Sequence, residues 1–203
     1  MFDKNRPVGI ESIKSYAQKV DNGFLEKYLS GKNILEIGYQ GYNANRKVVP
    51  IVENATGIDT DYPGYDGIHL PFADESQDAV YSSHVLEHIP DWGAALQDWF
   101  RVLKIGGYMV IVVPHWLLYE KKKDLPSQFA GWGHQRYYLP CTLLTELQDA
   151  LPLGEWRLRY MCDNDTGFDY TLSDRTHSEG CYEIECVIEK IADAPYLTQM
   201  MNR

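Results

Sequence analysis

The stretch from Asn33 to Gly41, with the sequence NILEIGYQG, constrains the fold of this chain more than any other. Its first half is an apolar run of the kind that forms a parallel strand buried on both faces. Gly38 and Gly41 follow, and glycine lets the backbone turn sharply and lets a ligand come close to it. Glu36 lies at the carboxyl end of the run, where open α/β sheets bind their ligands. The stretch therefore predicts a buried strand, a tight turn and a ligand site.

A second short strand, from Thr56 to Asp59, also ends in an acid. An acid about twenty residues beyond a glycine turn is the position that binds ribose hydroxyls in nucleotide-binding α/β folds. A carboxylate suits this role because its two oxygens can accept both hydroxyl protons. Asp61 is the alternative holder of the same role. The spacing predicts that a nucleoside lies across the ends of the first two strands.

Periodicity places the other elements along the chain. The segment 62–67 consists of turn residues and leaves no room for a crossover helix before the next strand. Helices are predicted at 11–29 with a break at Gly23, at 43–52, at 140–151, and from a cap at Asp91 to a stop at Gly106. Further strands are predicted at 68–70, 79–83, 108–113, 156–162 and 182–191.

Composition excludes several classes of protein. The formal net charge of -10 argues against binding to a nucleic-acid backbone, which requires clustered Lys and Arg. The four cysteines show no CxxC spacing, so we expect reduced thiols and neither a zinc site nor a disulfide framework. No apolar run is long enough to cross a bilayer, and the N-terminus lacks the apolar core of a signal peptide. We therefore expect a cytoplasmic protein.

Three further motifs follow in a fixed order: LPFADESQDAV at 70–80, HVLEH at 84–88 and FRVLKIGG at 100–107. Together with the glycine turn and Asp59, this succession resembles the class I S-adenosylmethionine-dependent methyltransferases of the methyltransferase type 11 kind. It is most similar to the small-molecule branch that ubiquinone-type and sugar-modifying enzymes share. The C-terminal third, at 133–138 and 163–170, loosely resembles proteins of bacterial surface-glycan clusters.

The resemblance implies a Rossmann-like α/β fold: a seven-stranded sheet, mostly parallel with a reversed C-terminal hairpin, and helices on both faces. We expect one domain over residues 1–203, with a helical lead-in at 1–30 and an acceptor-side insertion at 116–140. It also implies bound S-adenosylmethionine, with Asp59 on the ribose. The expected cofactor-binding residues are Glu36, Gly38, Tyr39, Gly41, Asp59, Thr60, His69, Leu70, Ser83 and His84.

Methyl transfer to a hydroxyl requires a positioned acceptor and removal of a proton. Histidine suits that proton transfer near neutral pH. His115 and His134 are the candidate bases, and the alternative is that each bonds a loop carbonyl. Expected acceptor-binding residues are Arg136, Tyr137 and Tyr119, although an Arg paired with one of the many acids, or aromatic side chains that cover the sheet, would explain them equally well.

His84, Glu87 and His88 do not follow the zinc-protease helix pattern, in which Glu comes directly after the first His. We therefore expect no metal ion, and expect His88 to cap a helix or to pack.

The expected function is methyl transfer from S-adenosylmethionine to a small polar acceptor, a hydroxyl of a sugar or sugar-phosphate, in glycan biosynthesis. The partner is then a small molecule, with no nucleic acid and no membrane, and a homodimer is left open. One alternative is a non-catalytic scaffold or regulator that binds S-adenosylmethionine. Another is a nicotinamide-dependent oxidoreductase, because such enzymes share the glycine turn and the acid.

Overall fold

The computed structural model describes residues 2–40, 47–120, 133–173, 176, 178–193 and 200. These residues form one sheet in the order β2-β1-β3-β4-β6-β5. The first four strands in that order are parallel, while β6 pairs antiparallel with both β4 and β5. The strands are β1 Ile34–Ile37, β2 Ala55–Ile58, β3 Gln77–Ser83, β4 Leu103–Pro114, β5 Trp156–Asn164 and β6 Glu183–Lys190. The mostly parallel sheet with a reversed C-terminal hairpin is confirmed.

The helices are α1 Ser12–Asp21, α2 Phe24–Tyr28, α3 Trp92–Val102, α4 Trp116–Tyr119 and α5 Pro140–Ala150, with a 3₁₀ turn at Leu86–His88. Gly23 separates α1 from α2 at a φ of 74°, a left-handed conformation that favours glycine. The predicted helix at 43–52 lies partly outside the described residues, and 47–52 are not helical. No helix of the described chain combines the length and apolarity that a membrane span requires.

The core lies in two apolar layers, one on each face of the sheet. Leu35 and Trp99 of α3 belong to one layer, and Ile34, Tyr16 of α1 and Phe24 of α2 to the other. Neighbouring residues of β1 divide between the layers because successive side chains of a strand point to opposite faces. Helices therefore cover both faces, as predicted.

The predicted count of seven strands is wrong for the described residues, which form six. The missing strand is the one expected at 68–70. The carboxylate of Asp66 accepts the amide N–H groups of Ile68 at 2.9 Å and His69 at 2.7 Å. The N–H of Leu70 donates to Asp98 at 2.7 Å. Because these donors bond to side chains, the segment does not pair as a strand, and β2 becomes the sheet edge.

The predicted end of α3 is also wrong. The helix stops at Val102, and Gly106 lies inside β4. Leu103 leaves the helix with an extended backbone and pairs with Gln77 of β3. Burial of Leu103 in the sheet explains why the chain changes conformation before it reaches the glycine.

A buried charged network joins α1 to β6. Lys19 is 1% exposed, and its Nζ lies 2.6 Å from Glu185 Oε1 and 3.6 Å from Glu183 Oε2. Ser15 donates to Glu183 at 3.0 Å, and His84 Nε2 lies 3.4 Å from the other Glu183 oxygen. Burial would raise the pKa of Glu183, but Lys19 and His84 outweigh it and lower that pKa to about 2. The carboxylate is thus ionised in the interior.

Candidate functional site

A cavity of about 320 Å³ opens at the carboxyl ends of β1 and β2. Its lining brings together residues 37–38 after β1, 59–60 after β2, the loop 65–68, and residues 85 and 88–90 after β3. Most of this surface is apolar, with Asp59 among its few charged groups. The cavity therefore lies where open α/β sheets bind their ligands.

Asp59 is held rigidly at this cavity. It is 8% exposed, and its Oδ2 accepts the amide N–H of Gln40 at 3.0 Å while Oδ1 accepts that of Thr60 at 2.8 Å. Each carboxylate oxygen can accept more than one hydrogen bond, so both keep capacity for a ligand. The pair of oxygens fits the two adjacent hydroxyls of a ribose.

Gly38 forms the turn after β1 at a φ of 77°. A Cβ atom on this residue would lie 2.1 Å from Cγ2 of Val85, so the two segments meet with no room for a side chain. Its N–H donates to the carbonyl of Ile58 at 2.7 Å, which ties the turn to β2. Bare backbone therefore borders the cavity at this point, where a bound ligand can approach closely.

Replacement of Gly38 by Ala should lower the free energy of unfolding by about 2–5 kcal/mol. The left-handed backbone contributes about 1–2 kcal/mol and the clash with Val85 about 1–3 kcal/mol. Urea unfolding measures the change. The double variant Gly38→Ala/Val85→Ala relieves the clash, so it should lose only the part of the unfolding free energy that the backbone strain accounts for.

Gly93→Ala is the matched control, because a Cβ at Gly93 in α3 meets no atom within 4 Å. That variant should gain up to about 0.5 kcal/mol through helix propensity. An unfolding midpoint for Gly38→Ala equal to that of the unmodified chain would contradict the close packing of Gly38 on Val85.

Glu36 is absent from the cavity lining. It is buried in β1, and its carboxyl group accepts the amide N–H of Ile51. Burial raises the pKa of Glu36 to about 8, so the carboxyl group is largely protonated at neutral pH. In this structure the residue anchors the segment before β2.

Of the other predicted cofactor-binding residues, some lie at the cavity and others lie away from it. Thr60 lines the cavity, and the ring of Tyr39 packs on Gly57, where a Cβ would lie 2.7 Å from ring atoms. His69 is exposed with its Nδ1 2.8 Å from Asp66 Oδ2, and Leu70 is buried in the core; neither lines the cavity. Gly41 lies outside the described residues.

Ser83 is the last residue of β3 and His84 follows it, but their side chains have different surroundings. Ser83 is 9% exposed, and no described residue forms a hydrogen bond with its Oγ. His84 has a φ of 54°, and its ring lies within the buried network between Glu87 and Glu183. Burial disfavours the charged ring, but the Glu183 and Glu87 carboxylates outweigh it and raise the pKa of His84.

Sequence reasoning missed the residues that form most of the apolar wall. Tyr65 and Ile68 come from the turn-rich loop, and Val85, Ile89 and Pro90 from the segment after β3. The HVLEH motif was the available signal for the second group, since it follows a strand whose carboxyl end faces the ligand site.

His115 lines a second cavity of about 450 Å³ together with Asp163, Asp165 and Tyr170. Its Nδ1 accepts the N–H of Leu117 at 3.2 Å, so in the neutral ring Nε2 carries the hydrogen. Burial lowers the pKa of this ring. His115 is thus arranged to donate a hydrogen bond into the second cavity rather than to accept a proton.

His134 lies beside the first cavity. Its Nδ1 is 2.8 Å from Glu120 Oε1, and its ring stacks on Tyr119 with centroids 5.1 Å apart. A carboxylate only accepts, so Nδ1 carries the hydrogen and Nε2 keeps its lone pair. The ring centroid is 4.8 Å from that of His88, which lines the cavity.

The guanidinium of Arg136 is bound within the protein. It donates to the carbonyl oxygens of Leu86 at 3.1 Å and Pro90 at 3.4 Å, and also to that of Ile89. These bonds fix the wall segment 86–90 in place. Tyr137 is half-buried, with its ring 6.4 Å from that of Trp116.

Comparisons with known proteins agree with this geometry. Residues 35–111 match the family model described as a methyltransferase domain. A Mycolicibacterium smegmatis protein named a probable S-adenosylmethionine-dependent methyltransferase is 29% identical over 113 residues, 48% of this chain and 44% of that protein. A Thermobifida fusca demethylmenaquinone methyltransferase is 48% identical over 109 residues, 52% of this chain and 36% of that protein. The chain thus spans less than half the length of these relatives.

The fold also matches a chain of the complex that the Trm112 methyltransferase activator of Haloferax volcanii forms with a methyltransferase. The TM-score is 0.55 at 13% identity, and the match covers 91% of this chain and 99% of that one. This likeness shows the fold alone. The family resemblance of the sequence is confirmed, whereas the likeness to surface-glycan proteins stays a prediction. Residues 35–111 thus match a methyltransferase domain, and the relatives that resemble this part of the chain are named as methyltransferases, one of them as S-adenosylmethionine-dependent.

Proposed function

We propose that this protein transfers a methyl group from S-adenosylmethionine to a hydroxyl of a small polar acceptor, a sugar or sugar-phosphate. The observation that carries the proposal is the carboxylate of Asp59, held by two backbone N–H groups at the edge of a cavity between the ends of β1 and β2. The family match over 35–111 supports the cofactor.

The residues at the cavity fit the parts of that cofactor. Asp59 would accept hydrogen bonds from the ribose hydroxyls, the backbone at Gly38 would allow close approach, and the apolar lining at 65–68 would accommodate a flat base. Bound S-adenosylmethionine supplies a methyl group that its positive sulfur already activates. The protein must therefore position the acceptor and manage its proton.

The His134–Glu120 pair is a candidate for handling that proton. Glu120 accepts the hydrogen of Nδ1 and so leaves the Nε2 lone pair near His88 and the cofactor cavity. That lone pair can take the proton of the acceptor directly or can bind a cation.

The second cavity supports a hydroxyl-rich acceptor. Its lining includes the carboxylates of Asp163, Asp165 and Asp169 and the rings of Phe168 and Tyr170. Carboxylates accept hydrogen bonds from sugar hydroxyls, and aromatic rings pack on sugar faces. The same negative charges oppose a phosphate, so a neutral sugar hydroxyl is favoured over a sugar-phosphate. The relatives named demethylmenaquinone methyltransferase point instead to a quinol acceptor, which becomes the second candidate.

Calorimetric titration with S-adenosylhomocysteine, the demethylated cofactor, should show one site per chain with micromolar-scale affinity. Fluorescence titration with NADH should show none. A radiolabelled methyl group should then appear in a neutral sugar from a panel of nucleotide sugars, glycans, sugar-phosphates and quinol precursors.

Each negative result leads to a different conclusion. Without binding of S-adenosylhomocysteine the proposal fails, and NADH binding would favour the oxidoreductase. Binding without methylation of any panel member would favour the non-catalytic scaffold. Methylation of the quinol precursor alone would show that the acceptor is a quinol and not a sugar. The homodimer and the cytoplasmic location stay predictions.

A further inference from the structure

We infer that Glu87, His88 and His134 form a binding site for a divalent first-row transition-metal ion such as Zn²⁺. Each of these residues offers one ligand atom, and the three atoms lie within 4.8 Å of one another. The expectation of no metal ion rested on the absence of a zinc-protease helix pattern. Here the ligands come instead from a 3₁₀ turn and from a segment beyond α4.

The strongest support for a bound cation comes from Glu87. This residue is 0% exposed, and no described residue forms a hydrogen bond with either of its carboxylate oxygens. Its Oε1 lies 3.7 Å from His84 Nδ1 and 3.8 Å from His88 Nε2, beyond hydrogen-bonding distance. A buried carboxylate without hydrogen bonds is costly, and a bound cation offsets that cost.

His134 is oriented as metal-binding histidines are. Such a residue usually donates its second ring N–H to a carboxylate, which fixes the tautomer and directs the other nitrogen at the ion. Glu120 makes this contact at 2.8 Å, and the side chains of His134 and Glu120 are only 4% and 2% exposed. Stacking on Tyr119 holds the ring orientation.

The backbone holds the two ligand-bearing segments together. The N–H of Gln135, next to His134, donates to the carbonyl of Glu87 at 2.7 Å. Arg136 donates to the carbonyls of Leu86 and Pro90 on either side of the ligands. The pairing of Glu87 with His134 is therefore built into the fold rather than produced by flexible side chains.

The ligand set selects the kind of ion. Two imidazoles and one carboxylate bind zinc in open catalytic sites and also suit iron, whereas Mg²⁺ and Ca²⁺ prefer oxygen ligands. Metal–ligand bonds of about 2.0–2.2 Å place neighbouring ligand atoms roughly 3 Å apart, so the side chains close inward by about an ångström on binding.

The position of the site gives it a role, and this role rests on the proposed function. The His88 side chain is 41% exposed and lines the proposed cofactor cavity, so an ion held by His88 would border that cavity. An ion there would lower the pKa of a hydroxyl bound to it, so that the proton would pass to solvent water while the oxygen attacks the methyl carbon and the cofactor sulfur keeps the electron pair of the broken bond. His134 is then a ligand rather than the base.

The test begins with protein freed of metal by a chelator and dialysed. Visible absorption during Co²⁺ titration and calorimetry with Zn²⁺ should each give one ion per chain, and Mg²⁺ at the same concentration should not compete. His134→Ala, His88→Ala and Glu87→Gln should each weaken Zn²⁺ binding about a hundredfold. Glu120→Gln should weaken it about tenfold, since Glu120 only positions His134.

His69→Ala is the matched control, because His69 is an exposed histidine that pairs with Asp66 away from the cluster. It should leave Zn²⁺ affinity unchanged. Circular dichroism establishes that each variant is folded, and His88→Ala, at a partly exposed side chain, tests the site even where Glu87→Gln fails to fold. Absence of saturable Co²⁺ and Zn²⁺ binding, or equal affinity in His88→Ala and the unmodified chain, would overturn the inference.

Titration of the same samples with S-adenosylhomocysteine separates the two proposals. Protein that binds S-adenosylhomocysteine but no ion upholds the methyltransferase proposal and removes the metal site. Protein that binds one ion but no S-adenosylhomocysteine upholds the metal site and removes the methyltransferase proposal. Loss of ion binding in His134→Ala with S-adenosylhomocysteine affinity retained supports the assignment of His134 as a ligand.

Discussion

Asp59→Ala should weaken binding of S-adenosylhomocysteine by at least about a hundredfold. The substitution removes two charge-assisted hydrogen bonds to the ribose hydroxyls, each worth about 1.5–3 kcal/mol, and 1.4 kcal/mol is a factor of ten. It also leaves the N–H groups of Gln40 and Thr60 without their carboxylate acceptor, which loosens the turn over the cofactor. Calorimetry at constant salt measures the affinity.

Two further variants sharpen this experiment. Asp59→Asn keeps one oxygen acceptor and should lose about tenfold rather than a hundredfold. Asp61→Ala removes an exposed acid two residues along the chain and should bind as the unmodified protein does. If Asp61→Ala loses affinity while Asp59→Ala keeps it, the ribose carboxylate has been assigned to the wrong residue.

Lys19→Met should lower the free energy of unfolding by about 3–5 kcal/mol at pH 7, the usual result of removing one partner from a buried ion pair. Methionine fills much of the same volume, but it leaves the carboxylates of Glu183 and Glu185 buried without their cation. Urea unfolding followed by circular dichroism measures the difference.

Lys4→Met is the matched control. Lys4 pairs with Asp21 on the surface, where the two side chains are 52% and 58% exposed. Solvent screens such a pair, so this variant should change stability by less than about 1 kcal/mol. Equal losses of unfolding free energy in the two variants would show that burial does not increase the contribution of the Lys19 ion pairs to stability.

The pH dependence of the Lys19 variant has a definite sign. The pKa of Glu183 is lowered from 4.5 to about 2 in the folded chain, so its contribution to stability is complete above about pH 4.5 and is lost as the pH falls through 2. Without Lys19 the burial of Glu183 dominates and its pKa rises. The gap in unfolding free energy between the two proteins should therefore narrow as the pH falls from about 5 towards 2.

The parts of the fold that the sequence predicted correctly depend on near neighbours in the chain. The strand β1, the break at Gly23 and the acid after β2 follow from local periodicity and from the backbone freedom of glycine. The proposed cofactor site depends on the same local signals at Gly38 and Asp59, because each residue follows its strand directly.

The parts that were missed depend on contacts between distant residues. The expected strand at 68–70 is prevented in part by Asp98, a residue of α3 whose carboxylate takes the N–H of Leu70. Lys19 lies in the helix predicted at 11–29 and was given no role there, yet Glu183 and Glu185 alternate onto one face of β6 and contact it. Their alternation was a usable signal, but only tertiary structure identifies the partner.

The insertion of β6 between β4 and β5 has a consequence for synthesis on the ribosome. Val112 of β4 pairs with Glu185, so the edge of β4 stays uncovered while the intervening segment is translated. At about 5–20 residues per second, that interval lasts several seconds. An apolar strand edge exposed for so long attracts other nascent chains. The sheet should therefore be completed only after β6 has been translated, and folding should benefit from chaperones that shield the growing polypeptide.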